Sequence, residues 1–227
     1  LSAGTISRGL VTHVDSFSVY DETVISYVGT NPTEPEQRVA GIYRDGEEKS
    51  HILHATTGQD TPLLIKTTRY FSNDYVAIID GQEVSVLKGS YPAANSDDNT
   101  SLVELAHFTL PAVATSLSLS PGGDYVLAQA GASFASYELE HKRLAQSTQT
   151  LAADQTAQPL RWLSEAQLWS DSANSLTMRD FDGNYTHTIM PIAPGFDASL
   201  SQNGRFFYGV GKSETGYHLQ RVTMILE

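Results

Sequence analysis

The sequence predicts an all-β chain built from about five repeated units, and three observations carry that prediction. Apolar residues recur with period two or in short solid runs, and the runs are rich in Val, Ile, Tyr, Phe and Thr, which suit a pleated surface. A Ser-plus-turn pattern returns along the chain at intervals of roughly 45 residues. Gly, Pro and Tyr are plentiful, at 17, 9 and 11 residues, while charged residues make up only 18%, as in turn-rich β structure.

Taken in order, the clearest strands are Thr23-Val24-Ile25-Ser26-Tyr27-Val28, Tyr75-Val76-Ala77-Ile78-Ile79, Val84-Ser85-Val86-Leu87, Tyr125-Val126-Leu127-Ala128 and Phe206-Phe207-Tyr208-Gly209-Val210. Turn formers bound each of them. The one segment with helical character runs from Glu138 to Gln149, and its Leu-Glu-His-Lys-Arg-Leu centre reads equally as a hairpin tip followed by a strand.

The punctuation repeats. Phe71-Ser72-Asn73-Asp74-Tyr75-Val76, Leu119-Ser120-Pro121-Gly122-Gly123-Asp124-Tyr125-Val126, Leu163-Ser164-Glu165-Ala166-Gln167-Leu168-Trp169 and Leu200-Ser201-Gln202-Asn203-Gly204-Arg205-Phe206-Phe207 share one plan: an apolar residue, a Ser, a tight turn, then an apolar strand. Val19-Tyr20-Asp21-Glu22-Thr23-Val24 is a fainter copy. The markers Tyr20, Ser72, Ser120, Ser164 and Ser201 stand 52, 48, 44 and 37 residues apart, close to the length of one four-stranded propeller blade. Gly and Asn accept positive φ in such turns, and the Ser hydroxyl can bond the turn backbone. Second turns follow at Arg44-Asp45-Gly46, Asp80-Gly81-Gln82 and Asp182-Gly183-Asn184, a strong hairpin signal between apolar strands. A marker turn plus a second hairpin makes four strands per unit.

Leu117-Ser118-Leu119-Ser120-Pro121-Gly122-Gly123-Asp124-Tyr125-Val126-Leu127 and Asp197-Ala198-Ser199-Leu200-Ser201-Gln202-Asn203-Gly204-Arg205-Phe206-Phe207-Tyr208 resemble the hairpins of TolB-like and WD-repeat-like β-propellers, and Ser175–Asn184 resembles their third strand with its following turn. The second marker departs from the pattern because Asn73-Asp74 lacks Gly, the fourth because Glu165-Ala166 is plain, and the Trp-Asp dipeptide of true WD repeats is absent. The resemblance implies one β-propeller of about five four-stranded antiparallel blades, approximately 14–58, 59–110, 111–154, 155–192 and 193–227. Residues 1–13 are a candidate closing strand, with Gly4 to His13 completing the last blade and removing exposed sheet edges; the alternative is a larger propeller with further blades elsewhere.

Composition excludes several functions. The 14 Lys+Arg against 26 Asp+Glu give a net charge of -12, which repels phosphate backbones and anionic headgroups, so nucleic acid is not an expected partner. Cysteine is absent, which removes thiol catalysis and thiolate metal sites and fits an extracytoplasmic location. No stretch approaches the roughly 18 apolar residues of a membrane span, so no direct membrane insertion is expected of this segment. The chain begins at Leu1 and is read as a processed or excised piece, with any signal or anchor upstream.

No constellation outweighs its structural explanation. Asp180-Phe181-Asp182-Gly183-Asn184 begins like a calcium loop, but Pro191 stands where the bidentate Glu should be, so it reads as a hairpin turn. Asn95-Ser96-Asp97-Asp98-Asn99-Thr100 reads as a solvated loop. The histidines 13, 51, 54, 107, 141, 187 and 218 are scattered, and His51 and His54, three apart in a strand, are expected on opposite faces. Gly131-Ala132-Ser133-Phe134-Ala135 lacks the second Gly of a nucleophile elbow, and phosphate loops are missing. Asn99-Thr100-Ser101 and Asn184-Tyr185-Thr186 match the glycosylation pattern but carry no claim. Trp162 and Trp169, like Tyr70 and Phe71, are expected in inter-blade packing rather than on a recognition surface. No catalytic, metal or cofactor-binding residue is therefore assigned.

The function expected is a non-catalytic protein-interaction scaffold, with a protein partner and, from the TolB-like resemblance, a place in a bacterial cell envelope, extracytoplasmic or periplasmic. The alternative is a ligand-binding or enzymatic propeller acting on a carbohydrate or peptide in the central channel. The sequence leaves partner identity and oligomeric state open.

Overall fold

The computed structural model describes residues 9–21, 23–58, 60–92, 101–151 and 155–224. Its strands form five antiparallel sheets, each a meander in strict chain order. Sheet A comprises β1 (Val14–Val19), β2 (Val24–Thr30), β3 (Arg38–Arg44) and β4 (His51–Thr56). Sheet B comprises β5 (Leu63–Tyr70), β6 (Asn73–Asp80), β7 (Glu83–Gly89) and β8 (Leu102–Thr109). Sheet C comprises β9 (Ser116–Leu119), β10 (Tyr125–Ala130), β11 (Ser133–Glu138) and β12 (Arg143–Thr148). Sheet D comprises β13 (Arg161–Trp162), β14 (Gln167–Ser170), β15 (Ser175–Asp180) and β16 (His187–Pro191). Sheet E has three strands among the described residues, β17 (Ser199–Leu200), β18 (Phe206–Ser213) and β19 (Gly216–Thr223). The only helical element described is a 3-10 turn, Ser172–Asn174. The segment with helical character resolves as the β11–β12 hairpin.

The chain divides into two units, Leu1–Thr109 and Leu110–Glu227. In the first, Val24, Val28, Ala40 and Ile42 of sheet A pack against Leu63, Ile65, Val76 and Ile78 of sheet B. The spacing of two and four along β2, β3, β5 and β6 is the pleat period, which turns one side of each strand toward the neighbouring sheet. In the second unit sheet D is apolar on both sides. Leu168 joins Leu127, Phe134 and Leu160 on the side of sheet C. Trp169, next in sequence, joins Leu176, Met190, Ile192 and Phe207 on the side of sheet E. Gly209 leaves room for the side-chain ends of Ile192 and Met190, which a Cβ there would push aside.

Four of the five marker turns, all but that at Ser72, share one bond: the marker N–H donates to the carbonyl of the residue where the next strand begins. Ser120 reaches Tyr125 at 3.0 Å, Ser201 reaches Phe206 at 2.8 Å, and Tyr20 reaches Val24 at 3.0 Å. Side chains differ in how much they add. Ser120 Oγ accepts from the N–H groups of Asp124 (3.2 Å) and Tyr125 (3.1 Å) and donates to Asp124 Oδ1 (2.6 Å). Ser201 Oγ accepts from Phe206 N–H at 2.9 Å. At the first marker Asp21 Oδ1 does the same work, accepting from Thr23 and Val24 N–H. Ser164 Oγ reaches only the Gln167 side chain, at 3.4 Å.

Three sequence expectations need correction. The second marker turn is Phe71-Ser72, not Asn73-Asp74: Tyr70 pairs with Asn73, and Phe71 and Ser72 both have positive φ (44° and 61°), so the two-residue loop has the φ signs of type I′ without glycine. The second turns are not equivalent, since Gly81-Gln82 joins the second and third strands of its sheet, whereas Asp45-Gly46 and Asp182-Gly183 lie between third and fourth strands. His51 and His54 do not alternate: a bulge at Leu53 sets His51 opposite Ile42 and His54 opposite Ala40, two residues on one face of β3. The expected closing strand falls largely on 1–8, outside the described residues; within 9–13 no strand forms, and the His13 carbonyl accepts from Thr30 N–H at 2.9 Å.

Ser120→Ala leaves two turn N–H groups without their acceptor and should lower unfolding stability by about 1–2 kcal/mol. Ser164→Ala should cost less than about 0.5 kcal/mol. Urea denaturation midpoints of the two variants check the difference.

Candidate functional site

The site is a cleft of about 310 Å³ in the second unit, where three connections meet. They are the link from sheet C to sheet D (Gln155, Thr156, Gln158), the β14–β15 turn (Asp171, Asn174) and the link from sheet D to sheet E (Gly195, Phe196, Asp197).

Buried hydrogen bonds fix each wall. Gln129, at the end of β10, accepts from Leu160 N–H (2.8 Å) and donates to the carbonyls of Gln158 (3.1 Å) and Gly131 (2.8 Å). Gln149 Oε1 accepts from Ser170 and Ser172 hydroxyls, both at 3.1 Å, and Ser172 Oγ accepts from Gln158 N–H at 2.9 Å. Gln129, Gln149, Ser170 and Ser172 are all buried. Buried and satisfied, this network holds the first two connections in one arrangement. Asp171 anchors the third: its carboxylate accepts from Ala198 N–H at 2.8 Å. Arg161 lies 3.9 Å from the same carboxylate and stacks over Trp169 at 4.6 Å. Asn174 and Gly195 both take positive φ (53° and 82°), and the turn at Gly195 presents Phe196, 42% exposed, at the lip.

The lining is rich in acceptors. Asp197 supplies an exposed carboxylate, Gln158 and Asn174 supply amides, and Phe196 supplies an apolar edge, with no Lys or Arg among the lining residues, while the Asp171 carboxylate is buried and taken up by Ala198 N–H and the nearby Arg161. Such a surface receives hydrogen-bond donors and cations.

The motifs weighed in the sequence lie elsewhere. Asp180–Asn184 is the β15–β16 turn, closed by Asp180 N–H to the Asn184 carbonyl at 3.0 Å, with Phe181 buried against Tyr125. Gly131-Ala132 is the tight β10–β11 turn, since Ala130 pairs with Ser133. Trp162 and Trp169 pack between sheets, Trp162 donating to Ser118 Oγ at 3.1 Å. Phe71, expected in packing between blades, is instead 72% exposed at its hairpin tip, because it stands in the two-residue loop beyond the strand pair. Residues 95–100, including Asn99 and Thr100 of the first glycosylation pattern, fall outside the described residues. His51 pairs with Glu47 (2.8 Å), His54 with Asp80 (3.0 Å), His107 with Glu83 (2.9 Å) and His141 with Glu138 (2.7 Å). Among the described residues no three His, Asp or Glu side chains gather as a metal site requires.

Several groups near the sheet C–D contact are shifted. Burial, with the Glu138 charge and hydrogen bond, pushes Tyr125 up to about 12. The Glu138 hydrogen bond raises His141 above 6.5, and burial lowers Arg179. Burial and the neighbouring Asp182 raise Asp180 above 3.8, partly offset by His187.

The cleft residues escaped the sequence reading because they come from three separate connections. The available signal was Pro194-Gly195-Phe196-Asp197, a turn with a large aromatic inside it.

No protein-family model and no curated protein matches the chain. Among solved structures it is similar to the complex of the fission yeast SREBP-SCAP binding domains, with a TM-score of 0.53 and 13% identity over 92% of this chain and 61% of that one. It is also similar to the WD40 domain of SCAP from fission yeast, with a TM-score of 0.50 and 12% identity over 87% of this chain and 52% of that one. The chain thus spans 61% and 52% of the length of these two structures. At these identities the likeness concerns the fold: the five sheets are those of a WD40-like β-propeller.

Because Asp180 holds its proton to higher pH when folded than when unfolded, its charge costs stability above its folded pKa and nothing well below 3.8. Asp180→Asn should therefore raise the melting temperature at pH 7, and the gain should vanish as the pH falls below the ordinary aspartate range. Thermal unfolding from pH 3 to pH 7 checks this.

Proposed function

We propose that this chain is a protein-interaction scaffold that receives an exposed segment of a partner protein in the loop cleft, with a cationic side chain seated beside Asp197. The convergence of three connections on an acceptor-lined cleft with an aromatic lip carries the reading. A Lys or Arg entering it meets the Asp197 carboxylate and amide oxygens on walls already held by buried bonds, so little ordering cost accompanies binding. Phe196 supplies the kind of aromatic edge that concentrates binding energy at protein contacts. One of the structures similar in fold is itself a complex of binding domains.

The same proposal places the protein outside the cytoplasm of a bacterium, in the cell envelope. Two features support it: the resemblance of the Ser120–Asp124 and Ser201–Arg205 hairpins to TolB-like propellers, and the absence of cysteine.

A photo-crosslinking amino acid placed at position 196 and activated in the bacterial host should give a discrete protein adduct, which Asp197→Lys reduces about tenfold, the loss of roughly 1.4 kcal/mol of binding. The same probe at the exposed Leu144 is the control. An adduct at 196 no stronger than at 144, or unchanged by the substitution, defeats the cleft reading. Protease added to spheroplasts should degrade the protein while a cytoplasmic marker survives; survival of both defeats the envelope placement.

A further inference from the structure

Sheet D carries a buried arginine that no acid accompanies among the described residues. Arg179 stands opposite Leu168 in the β14–β15 ladder, and residues opposite one another project to the same face of a sheet. Leu168 lies on the side of sheet C, so Arg179 enters the gap between sheets C and D. It is 6% exposed. Its Nη2 donates to Thr177 Oγ1 at 3.3 Å, which joins it to a chain of neutral groups, Thr177, Ser170 and Gln149. Its Nε is buried and donates to nothing among the described residues.

A guanidinium keeps its proton inside a protein, and a charge taken out of water is strongly unfavourable unless an opposite charge and hydrogen bonds meet it. The other arginines of the second unit have such partners or reach water. Arg143 pairs with Glu138 and lies over Phe181, Arg161 lies near Asp171 and over Trp169, Arg221 lies over Phe206, and Arg205 is exposed. Arg179 has neither a paired carboxylate nor a ring beneath it among the described residues. Burial lowers its pKa, and no neighbouring charge acts against that shift. Acids outnumber bases 26 to 14 in the chain, so composition does not account for the missing partner.

We propose that Arg179 binds the carboxylate of a small organic acid in the gap between sheets C and D, the two oxygens accepting from the guanidinium hydrogens that Thr177 leaves free. The charge to be matched is a single one, and a planar carboxylate meets the guanidinium fork with two parallel bonds. A phosphate dianion would bring a second charge and further oxygens to a place where the Ser170 and Thr177 hydroxyls already bond one another. Packed sheets lie only about 10 Å apart, which restricts the acid to a few atoms. Arg179 is not among the residues lining the cleft, so this site stands apart from the one that receives a partner protein.

The probe is sodium formate, compared with sodium chloride and sodium phosphate at equal ionic strength. In NMR spectra of the whole chain with nitrogen-labelled arginine, the Arg179 Nε–H resonance is identified by its loss in Arg179→Lys. Formate should shift this resonance saturably, and chloride should not. In thermal unfolding, formate should raise the melting temperature above the chloride control, as a ligand of the native state does, and Arg179→Met should lose that increment. The NMR titration, made on the unsubstituted chain, decides the matter if Arg179→Met does not fold. The proposal is overturned if formate shifts the resonance no more than chloride does, if phosphate shifts it and formate does not, or if the formate increment persists in Arg179→Met. It is equally overturned if Asp154→Asn or Glu227→Gln shifts the resonance without formate. These are the two acids of the second unit outside the described residues, and such a shift would give Arg179 a partner within the chain.

Discussion

Leu168 and Trp169 are neighbours in sequence and face opposite ways, and the rest of the second unit depends on that. A strand apolar on both sides belongs to a sheet that cannot end at water on either face. Sheet D meets the requirement by packing Leu168 into the cluster of Leu127, Phe134 and Leu160, and Trp169 into that of Met190, Ile192 and Phe207. Each buried side chain of this size contributes on the order of 1.5–3 kcal/mol, and none of it is available to a sheet alone. The same packing fills the space over Gly209, where a methyl group would displace the side-chain ends of Ile192 and Met190.

Once sheets stack in this way, polar groups at their rims must be fastened across the gap. Gln129 and Gln149 secure the chain entering sheet D, and Asp171 secures the chain entering sheet E. These side chains sit at or near strand ends and bond the backbone of the next connection. Glu165 does the same beside the marker turns, accepting from Gly122 N–H at 2.7 Å. A cleft built on such anchors is rigid for a structural reason: the bonds that shape it are the bonds that join the sheets. Asp197 and Asn174 line that cleft without taking part in these anchoring bonds.

What the sequence shows of this follows from the range of each interaction. A hairpin turn is a matter of four or five adjacent residues, so Ser120–Asp124, Ser201–Arg205 and Asp80-Gly81 are legible directly, and the strands between them follow. Phe71-Ser72 is hidden because its positive φ values belong to residues that seldom adopt them. The bulge at Leu53 is hidden because one extra residue in a strand leaves the composition unchanged while it reverses the facing of His54. The cleft is hidden for a different reason. Gln158, Asp171 and Asp197 lie on three connections, and nothing local marks them as neighbours; only the stacking of sheets, a non-local event, brings them together.

Edges complete the logic of stacked sheets, because burying faces leaves the outer strands as the remaining unpaired backbone. Bulges at Leu53, Leu105 and Ile189 show that three of these strands carry a feature that discourages pairing. Such irregularities shorten or twist a ladder, and selection against unwanted pairing is the physical circumstance in which they persist. Strand β19 keeps a ladder of eight regular pairs and exposes Tyr217 and Leu219 beside cations in an otherwise acidic chain. That regularity is shared by the third strands β3, β7 and β11 against their second strands, so it marks a third position in a sheet rather than an edge kept free for pairing, and it sets Tyr217 beside Phe196 at the rim of the cleft.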